Sequence, residues 1–445
     1  MKITFHTSAS VVIEDDGVKI LTDPWFVDGE FYGSWAHYPL YDFNPQDFDD
    51  IDYIYISHIH PDHCSVKTLE KLNRKIPILI HNFHFKYLKE QIQRLGFSVI
   101  ELNHNERIHL KNNLHIRILA ADNCNPEICM KYFGCGLAEQ TFGSTSIDSM
   151  CVIDNGNEVI VNTNDCPYEL GESSAMAIKN EYDKIDFLLL GYSSATAYPQ
   201  CFALTPDELK KSQQEIIHTF LSRGESYVRL FDPKYFMPFA GRYVISGKNH
   251  ALTWKKATPE LEEAANYFNN SSNIDHNKNE CVILNSKSSF NITKGIMSES
   301  YIPINLEEKK EYVSSVLSKS KYDYENDFEP TLKEIKKLIP KSFERFEQKR
   351  KQLNFSSDTK IIITLPENHF LTMSSDGNGY EISLDRPLQK KFLEIDTDPK
   401  LLKRLLQGPK FAHWNNAEIG SHLMFKRMPN IYERGLFYCL NFFHS

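Results

Sequence analysis

The chain has 445 residues, of which 41% are hydrophobic and 24% charged, so it is long enough for two or three domains and too apolar to be largely disordered. Its formal net charge of −9 disfavours binding to a nucleic acid polymer, which requires a basic surface. Nine scattered cysteines, the lack of a secretory signal pattern and the lack of any apolar run near the ~20 residues of a membrane span predict a reduced, cytoplasmic protein that does not bind membranes.

The first 110 residues alternate between strand and helix patterns. Short apolar runs predict strands, and apolar residues at every third or fourth position predict helices. The predicted strands are residues 4–5, 11–13, 18–21, 53–56, 76–80 and 98–102, and the predicted helices are residues 66–72 and 86–95. Such alternation predicts an α/β domain with an interior sheet.

Residues 114–245 continue this domain, mostly as strands. The predicted strands are residues 114–119, 149–153, 158–163, 183–192 and 235–245, with a long helix over residues 206–223. An irregular segment over residues 122–147 interrupts them. Loops of that length inside a compact domain tend to be functional.

A change in composition marks the predicted end of this domain. Residues 255–330 are rich in Asn, Ser, Lys and Glu, which places a boundary between residues 1–255 and residues 256–445. The second part is predicted to be a smaller α+β region, with helices over 330–353 and 399–407 and strands over 360–365, 369–374 and 380–384. The aromatic tail from Phe437 to Phe443 predicts a docked terminal helix or, alternatively, a contact in a homodimer.

The strongest chemical pattern directly follows the predicted strand over residues 53–56. It reads Ser57-His58-Ile59-His60-Pro61-Asp62-His63. In an extended segment alternate side chains face the same way, so His58, His60 and Asp62 can converge, and His63 can reach inward from the next helix. Four imidazole and carboxylate donors in six residues predict a site for two divalent metal ions, and a chance cluster of surface histidines is the alternative.

This pattern resembles that of the metallo-β-lactamase-fold superfamily, which implies an αββα sandwich. The resemblance also implies that Asp165, in Asn162-Thr163-Asn164-Asp165-Cys166, bridges the two metal ions, because a negative ligand is expected between two cations that repel each other. It implies that Asp23, in Thr22-Asp23-Pro24, hydrogen-bonds the metal-binding loop without binding metal. An ordinary turn or strand end is the alternative for both aspartates.

A narrower resemblance, to the metallo-β-lactamase-like portion of the CMP-N-acetylneuraminic acid hydroxylases, covers almost the whole chain. The similar segments, in the same order, are Ile20 to Trp25, Tyr55 to His58, Ile160 to Cys166, Pro238 to Gly241, Asp327 to Pro330 and Trp414-Asn415. The sequence lacks the Cys-x-His and Cys-x-x-His patterns of the Rieske domain of those hydroxylases. Oxygen chemistry would therefore need electrons from a separate Rieske-type partner.

Two expected metal ligands depart from the superfamily pattern. Where many members carry a third histidine this sequence has Asn125, with Asp122 as the alternative donor, so the first metal position is short of a ligand or open to water. The superfamily's last histidine follows a late strand, and the resemblance implies His250 for that role. A solvent-facing loop histidine is the alternative for His250. We expect His81 and His84 to lie behind the ligands or at the surface.

Polar residues after the later strands are candidates for binding a substrate. Ser193, Ser194 and Thr196 follow the strand over residues 183–192 and could hydrogen-bond a headgroup, although a tight turn explains them equally well. Arg242 could hold a phosphate or carboxylate, and ion pairing with nearby acidic residues is the alternative.

These residues predict a metal-dependent hydrolase, in which zinc, iron or manganese ions activate water against a small substrate. Asp62 would be a ligand or would carry a proton to the leaving group, and Asp165 would act beside it. The resemblance implies a phosphorylated or nucleotide-linked substrate. The alternatives are a non-haem iron oxygenase that works with a separate Rieske-type electron donor, and a binding module with a degenerate metal site.

Overall fold

A computed structural model describes residues 1–121 and 148–445 of the chain. Its strands are β1 (Lys2–Thr7), β2 (Ser10–Asp15), β3 (Val18–Thr22), β4 (Trp35–Ala36), β5 (Tyr53–Tyr55), β6 (Ile78–His81), β7 (Val99–Leu102), β8 (Arg107–Lys111), β9 (Leu114–Ala120), β10 (Ser149–Asp154), β11 (Val159–Asn162), β12 (Phe187–Gly191), β13 (Tyr235–Phe239), β14 (Val244–Ile245), β15 (Glu280–Cys281), β16 (Ser289–Asn291), β17 (Ile296–Met297), β18 (Lys360–Leu365), β19 (His369–Ser374), β20 (Tyr380–Ser383), β21 (Phe392–Asp396) and β22 (Met424–Met428).

The helices of the described residues lie between and after these strands. They are α1 (Glu30–Gly33), α2 (Val66–Leu69), α3 (Tyr87–Arg94), α4 (Tyr168–Glu181), α5 (Pro206–Phe231), α6 (Leu261–Asn270), α7 (Leu306–Ser315), α8 (Leu332–Gln352), α9 (Pro399–Gln407), α10 (Trp414–Ile419) and α11 (Arg434–Leu440). Short 3₁₀ helices span Pro45–Phe48, Gly247–Lys255, Leu317–Lys319 and Pro366–Asn368. Within the described ranges, no helix combines the length and the apolar character that crossing a membrane requires.

Two large sheets form the first part of the molecule. Among the described residues, the first sheet has the strand order β17-β16-β1-β2-β3-β5-β6-β7 and the second has the order β15-β13-β12-β11-β10-β9-β8. In the first sheet β3, β5, β6 and β7 run parallel, and in the second β11, β12, β13 and β15 do so. Strand β10 is antiparallel to β11, so its amino end lies at the same edge as the carboxyl end of β11.

Three apolar layers hold the sheets and helices together. Tyr55 and Leu189 lie in the core between the two sheets. Leu69 and Ile92 of α2 and α3 pack on the outer face of the first sheet, and Val228 of α5 packs with α4 and α6 on the outer face of the second. Helix–sheet–sheet–helix layering of this kind is the αββα sandwich, so the predicted fold class is confirmed.

The late strand predicted over residues 235–245 is two strands, β13 and β14. Ala240, between them, has a φ of 54°, in the left-handed region that an extended strand cannot contain. Strand β14 leaves the second sheet and pairs with β4 instead. The polypeptide after β13 thus turns toward the segment that follows β3.

The sandwich continues past the boundary predicted at residue 255. Strand β15 adds to the second sheet beside β13, and β16 adds to the first sheet beside β1. Strands on both sides of the predicted boundary at residue 255 therefore belong to the same sheets, because polar segments with short strands can still complete the outer edges of sheets. Composition alone did not separate such edge strands from a linker.

The smaller C-terminal region is α+β, as predicted. Its sheet has the order β20-β19-β18-β21-β22, and helices α8, α9 and α11 contribute to its core. The loop between β12 and α5 enters this core with Ala197 and Cys201, and Phe202 stacks on Phe425 with ring centroids 4.8 Å apart. The C-terminal region is therefore packed against the strand ends of the sandwich.

Candidate metal centre

Asp23 joins the ends of two parallel strands. It directly follows β3, and its carboxylate is fully buried. Asp23 Oδ1 accepts a hydrogen bond from the Ser57 backbone N at 2.7 Å, and Oδ2 accepts from Ser57 Oγ at 2.7 Å. The same Oδ2 lies 2.8 Å from His63 Nδ1. Asp23 therefore orients the loop after β5, the geometry that the sequence predicts for it.

His58 and His60 face each other across a short gap. His58 directly follows Ser57 and is fully buried. Its Nε2 lies 2.9 Å from Nδ1 of His60. Two imidazole nitrogens at this distance cannot both be protonated, because their hydrogens would point at each other. One of them presents a lone pair, as a metal ligand must.

His63 lies between two carboxylates on the other side of the cluster. Its Nε2 is 3.3 Å from Asp165 Oδ2 and 3.5 Å from Asp62 Oδ2. Ligand atoms of His58, His63 and Asp165 all lie within 4.8 Å of one another. The predicted residues of the 57–63 segment and Asp165 are thus brought together, from the facing edges of the two sheets.

The structure adds Asp148, which the sequence analysis did not identify. Its Oδ1 lies 3.8 Å from His58 Nε2, and its side chain is 14% exposed. Asp148 directly precedes β10, whose amino end lies at the site because β10 is antiparallel to β11. The sequence signal that could have located it is an acidic residue before an antiparallel strand, rather than after a parallel one.

A second addition comes from the C-terminal region. Asn415 in α10 places its Oδ1 3.2 Å from Nε2 of His60. The segment Trp414-Asn415 supported the resemblance in sequence, but no pattern placed it at the cluster. The C-terminal region therefore contacts the histidine cluster directly.

Burial and mutual repulsion keep two of the histidines neutral. The pKa of His58 is lowered well below its usual value, first by burial and then by the neighbouring His63 and His60. The pKa of His60 is lowered as well, mainly by burial. Neutral imidazoles are the form that binds metal.

The carboxylate side of the cluster attracts positive charge. Burial opposes a proton on His63, but Asp165, Asp62 and Asp23 together outweigh burial and raise the pKa of His63 well above its usual value. Burial, together with repulsion from Asp165, raises the pKa of Asp62 to about 7. A cation between these groups would stabilise the charged carboxylates, and imidazole with carboxylate donors suits zinc, iron or manganese. The residues present therefore fit a divalent metal ion.

Of the remaining predicted ligands, the structure describes only His250, which does not join this cluster. His250 lies in the 3₁₀ helix Gly247–Lys255, where its Nδ1 is 3.0 Å from the Gly247 carbonyl, and it is not among the residues brought together at the metal cluster within the described ranges. A histidine five residues beyond a strand can turn back onto its own helix instead of returning to the strand edge. Asn125 and the alternative Asp122 lie outside the described residues.

The predicted substrate-binding residues make local contacts. Thr196 Oγ1 donates to the Tyr198 carbonyl at 3.0 Å and accepts from the Tyr198 backbone N, as in a tight turn. Ser194 Oγ lies 3.4 Å from the Ala257 carbonyl. Ser193 packs against Gly241 so closely that a Cβ on that glycine would lie 2.4 Å from Ser193 Oγ. These contacts explain the small residues without a ligand.

Arg242 takes part in a polar network on the helix side of the second sheet. Its Nη2 donates to the Tyr301 hydroxyl at 2.7 Å, and that hydroxyl donates to Glu262 Oε1 at 2.9 Å. This arrangement matches the ion-pairing alternative more closely than a role with substrate. A role of Arg242 in substrate binding stays a prediction.

Comparison with known proteins agrees with this architecture. Residues 2–127 match the family model described as a beta-lactamase superfamily domain. The resemblance inferred from the 57–63 segment is confirmed.

Two relatives and one solved structure are similar to this chain. A Mycobacterium tuberculosis protein provisionally named a Rieske 2Fe-2S iron-sulfur protein is 25% identical over 250 residues, which cover 54% of this chain and 44% of that protein. The cytidine monophosphate-N-acetylneuraminic acid hydroxylase of Asterias rubens is 24% identical over 269 residues, 55% of this chain and 35% of that enzyme. The matches span less than half the length of these relatives. The solved isothiocyanate hydrolase from Delia radicum gut bacteria is 14% identical, with a TM-score of 0.44, over 65% of this chain and 99% of that one.

Proposed function

Since residues 2–127 carry a beta-lactamase superfamily domain, we propose that the protein is a metal-dependent hydrolase with two divalent metal ions, zinc, iron or manganese. The observation that carries this proposal is the convergence of six donor side chains at one place where the two sheets meet. They form two groups, His58 with His60 and Asp148, and His63 with Asp62 and Asp165.

Two cations held by these groups would lower the pKa of a water molecule from about 15.7 toward 7 and polarise the oxygen of a substrate. Asp165 is the more exposed of the two carboxylates beside His63, at 31% against 9% for Asp62. Asp62, with a pKa of about 7, either ligates or passes a proton to the leaving group. Asp23 holds the His63 ring in place through Nδ1, which leaves Nε2 directed at both carboxylates.

The proposed substrate is a small molecule with a phosphoryl or nucleotide group. The support is by analogy, from relatives named for a cytidine monophosphate-linked acid. The net charge of −9 disfavours binding of a nucleic acid polymer at the same site.

The test uses the full-length chain stripped of metal with a chelator. It is reconstituted in turn with Zn²⁺, Fe²⁺ and Mn²⁺ and assayed with bis(p-nitrophenyl) phosphate. We expect metal-dependent hydrolysis that His58→Ala abolishes and that His84→Ala, a change at an exposed histidine, leaves intact. Full activity in the stripped protein, or in His58→Ala, would refute the proposal.

A second candidate is a non-haem iron oxygenase served by a separate Rieske-type electron donor. Two observations favour it: the carboxylate of Asp148 near His58, which adds a hard oxygen donor suited to iron, and the hydroxylase among the relatives. Protein purified without oxygen and loaded with Fe²⁺ would then consume dioxygen when a Rieske-type donor, its reductase and a sugar nucleotide are added. Dioxygen uptake coupled to substrate would displace the hydrolase, and failure to bind any metal would favour a binding module.

A further inference from the structure

His60 donates its outer hydrogen bond to a residue 355 positions away in the chain. The distance from His60 Nε2 to Asn415 Oδ1 is 3.2 Å. An amide oxygen can only accept, so this contact requires a proton on Nε2. A neutral imidazole protonated there carries its lone pair on Nδ1, the atom that lies 2.9 Å from His58 Nε2.

The helix that carries Asn415 is fixed to the sandwich by several buried contacts. Trp35 Nε1 donates to the Ile419 carbonyl at 3.3 Å, and Ser34 Oγ donates to the Gly420 carbonyl at 2.5 Å. At the other end of the helix, the backbone N of Asn415 donates to His413 Nδ1 at 3.2 Å. The amide oxygen therefore reaches His60 from a rigid support, as orienting a ring requires.

A comparison with His63 shows what such a contact does. The ring of His63 is oriented through Nδ1 by the Asp23 carboxylate, and the ring of His60 is oriented through Nε2 by a neutral amide. Partners of this kind fix the tautomer and the direction of a ligating histidine, and their removal costs about 10- to 100-fold in metal affinity. A carboxylate makes its partner ring more basic than an amide does, so the two metal positions would differ in strength.

We propose that Asn415 is a positioning residue of the first metal position: its amide oxygen holds the Nε2–H of His60 so that Nδ1 faces the metal shared with His58. The inference rests on the proposed function, because it concerns the same centre. It assigns to the C-terminal region the contact that orients His60 among the residues that the structure describes.

The test is a titration of the chelator-stripped, full-length chain with Co²⁺, followed by absorption and by metal analysis after desalting. Asn415→Leu keeps the number and branching of the side-chain heavy atoms and removes the acceptor, whereas Asn415→Asp keeps an acceptor. We expect two equivalents in the wild type and in Asn415→Asp. In Asn415→Leu we expect one equivalent to be retained and the other to bind about 10- to 100-fold more weakly.

Asn416→Leu is the matched control, because this neighbouring amide hydrogen-bonds Tyr32 and not His60. Circular dichroism and thermal unfolding establish that each variant is folded. The proposal is overturned if Asn415→Leu binds both equivalents as tightly as the wild type, if Asn416→Leu weakens binding equally, or if Asn415→Asp loses as much affinity as Asn415→Leu. A wild-type chain that binds no cobalt would instead refute the proposed function itself.

Discussion

The two halves of the candidate metal centre are held by different parts of the molecule. His63 is oriented by Asp23, which is fully buried at the end of β3 and hydrogen-bonded to Ser57 at the end of β5. His60 is oriented by Asn415 of the C-terminal region. One half therefore needs only the sandwich, and the other also needs the C-terminal region to be docked. Variants on each side should separate the two.

The largest expected effect is on the half that the sandwich holds alone. Asp165→Ala removes the carboxylate 3.3 Å from His63 Nε2 and should lower bound metal by about one equivalent and hydrolysis by more than about 100-fold. Metal analysis after desalting and the phosphodiester assay measure both, with His84→Ala as the control. Two retained equivalents in Asp165→Ala would show that Asp165 is not a ligand.

Asp23→Ala tests the support of the same half. It leaves the Ser57 amide, the Ser57 hydroxyl and His63 Nδ1 buried without their acceptor, so we expect a loss of about 3–5 kcal/mol in the free energy of unfolding. Urea denaturation of the metal-free chain measures it. An unfolding free energy equal to that of the wild type would contradict the orienting role of Asp23.

The contact between the sandwich and the C-terminal region should become less stable at acidic pH. His422 is buried between Phe31 of the sandwich and Tyr324, and burial lowers its pKa to about 4. The unfolded chain takes up this proton below about pH 6.5, and the folded chain does so only near pH 4. The contribution of His422 to the free energy of unfolding is therefore complete above about pH 6.5 and falls by about 3 kcal/mol on acidification to about pH 4.

Urea denaturation at pH 7 and pH 4.5, in the wild type and in His422→Asn, isolates that contribution from the other histidines. The variant should lose less stability between the two pH values than the wild type does. Equal losses in both proteins would show that His422 does not titrate as its burial indicates.

The smallest expected effect is at a single buried hydrogen bond of the same contact. Ser34→Ala removes the hydrogen bond to the Gly420 carbonyl and should cost about 1 kcal/mol in the free energy of unfolding. Cobalt binding at the His63 half should not change, since no atom of that half is touched. A loss of metal there would mean that the two halves are coupled through the packing of α10.

The parts of the site that could be predicted are those built from adjacent residues. His58, His60, Asp62 and His63 follow one strand within six residues, so they stay close in space, although the segment forms a turn closed by the hydrogen bond from the His63 N to the His60 carbonyl rather than the extended chain that was expected. Asp165 was placed through the resemblance, on the neighbouring sheet. The alternation of strand and helix patterns predicted an α/β domain, and the resemblance implied its αββα layering.

The residues that were missed depend on long-range topology. Asp148 lies at the site because β10 runs antiparallel, a direction that no local pattern encodes. Asn415 belongs to the C-terminal region and is separated from His60 by 355 positions in the chain. His250 was assigned through the resemblance, as the histidine that follows a late strand, but its 3₁₀ helix turns it toward the Gly247 carbonyl.

Strands β15 and β16 belong to the sandwich, so an expressed fragment of this part of the protein must include them. A fragment that stopped at residue 255 would leave β13 and β1 as bare outer strands with rows of unpaired peptide groups. Such strands recruit other chains and promote aggregation. Any truncation, fusion or exchange of the C-terminal part should therefore be cut beyond Met297, where both outer strands keep their partners.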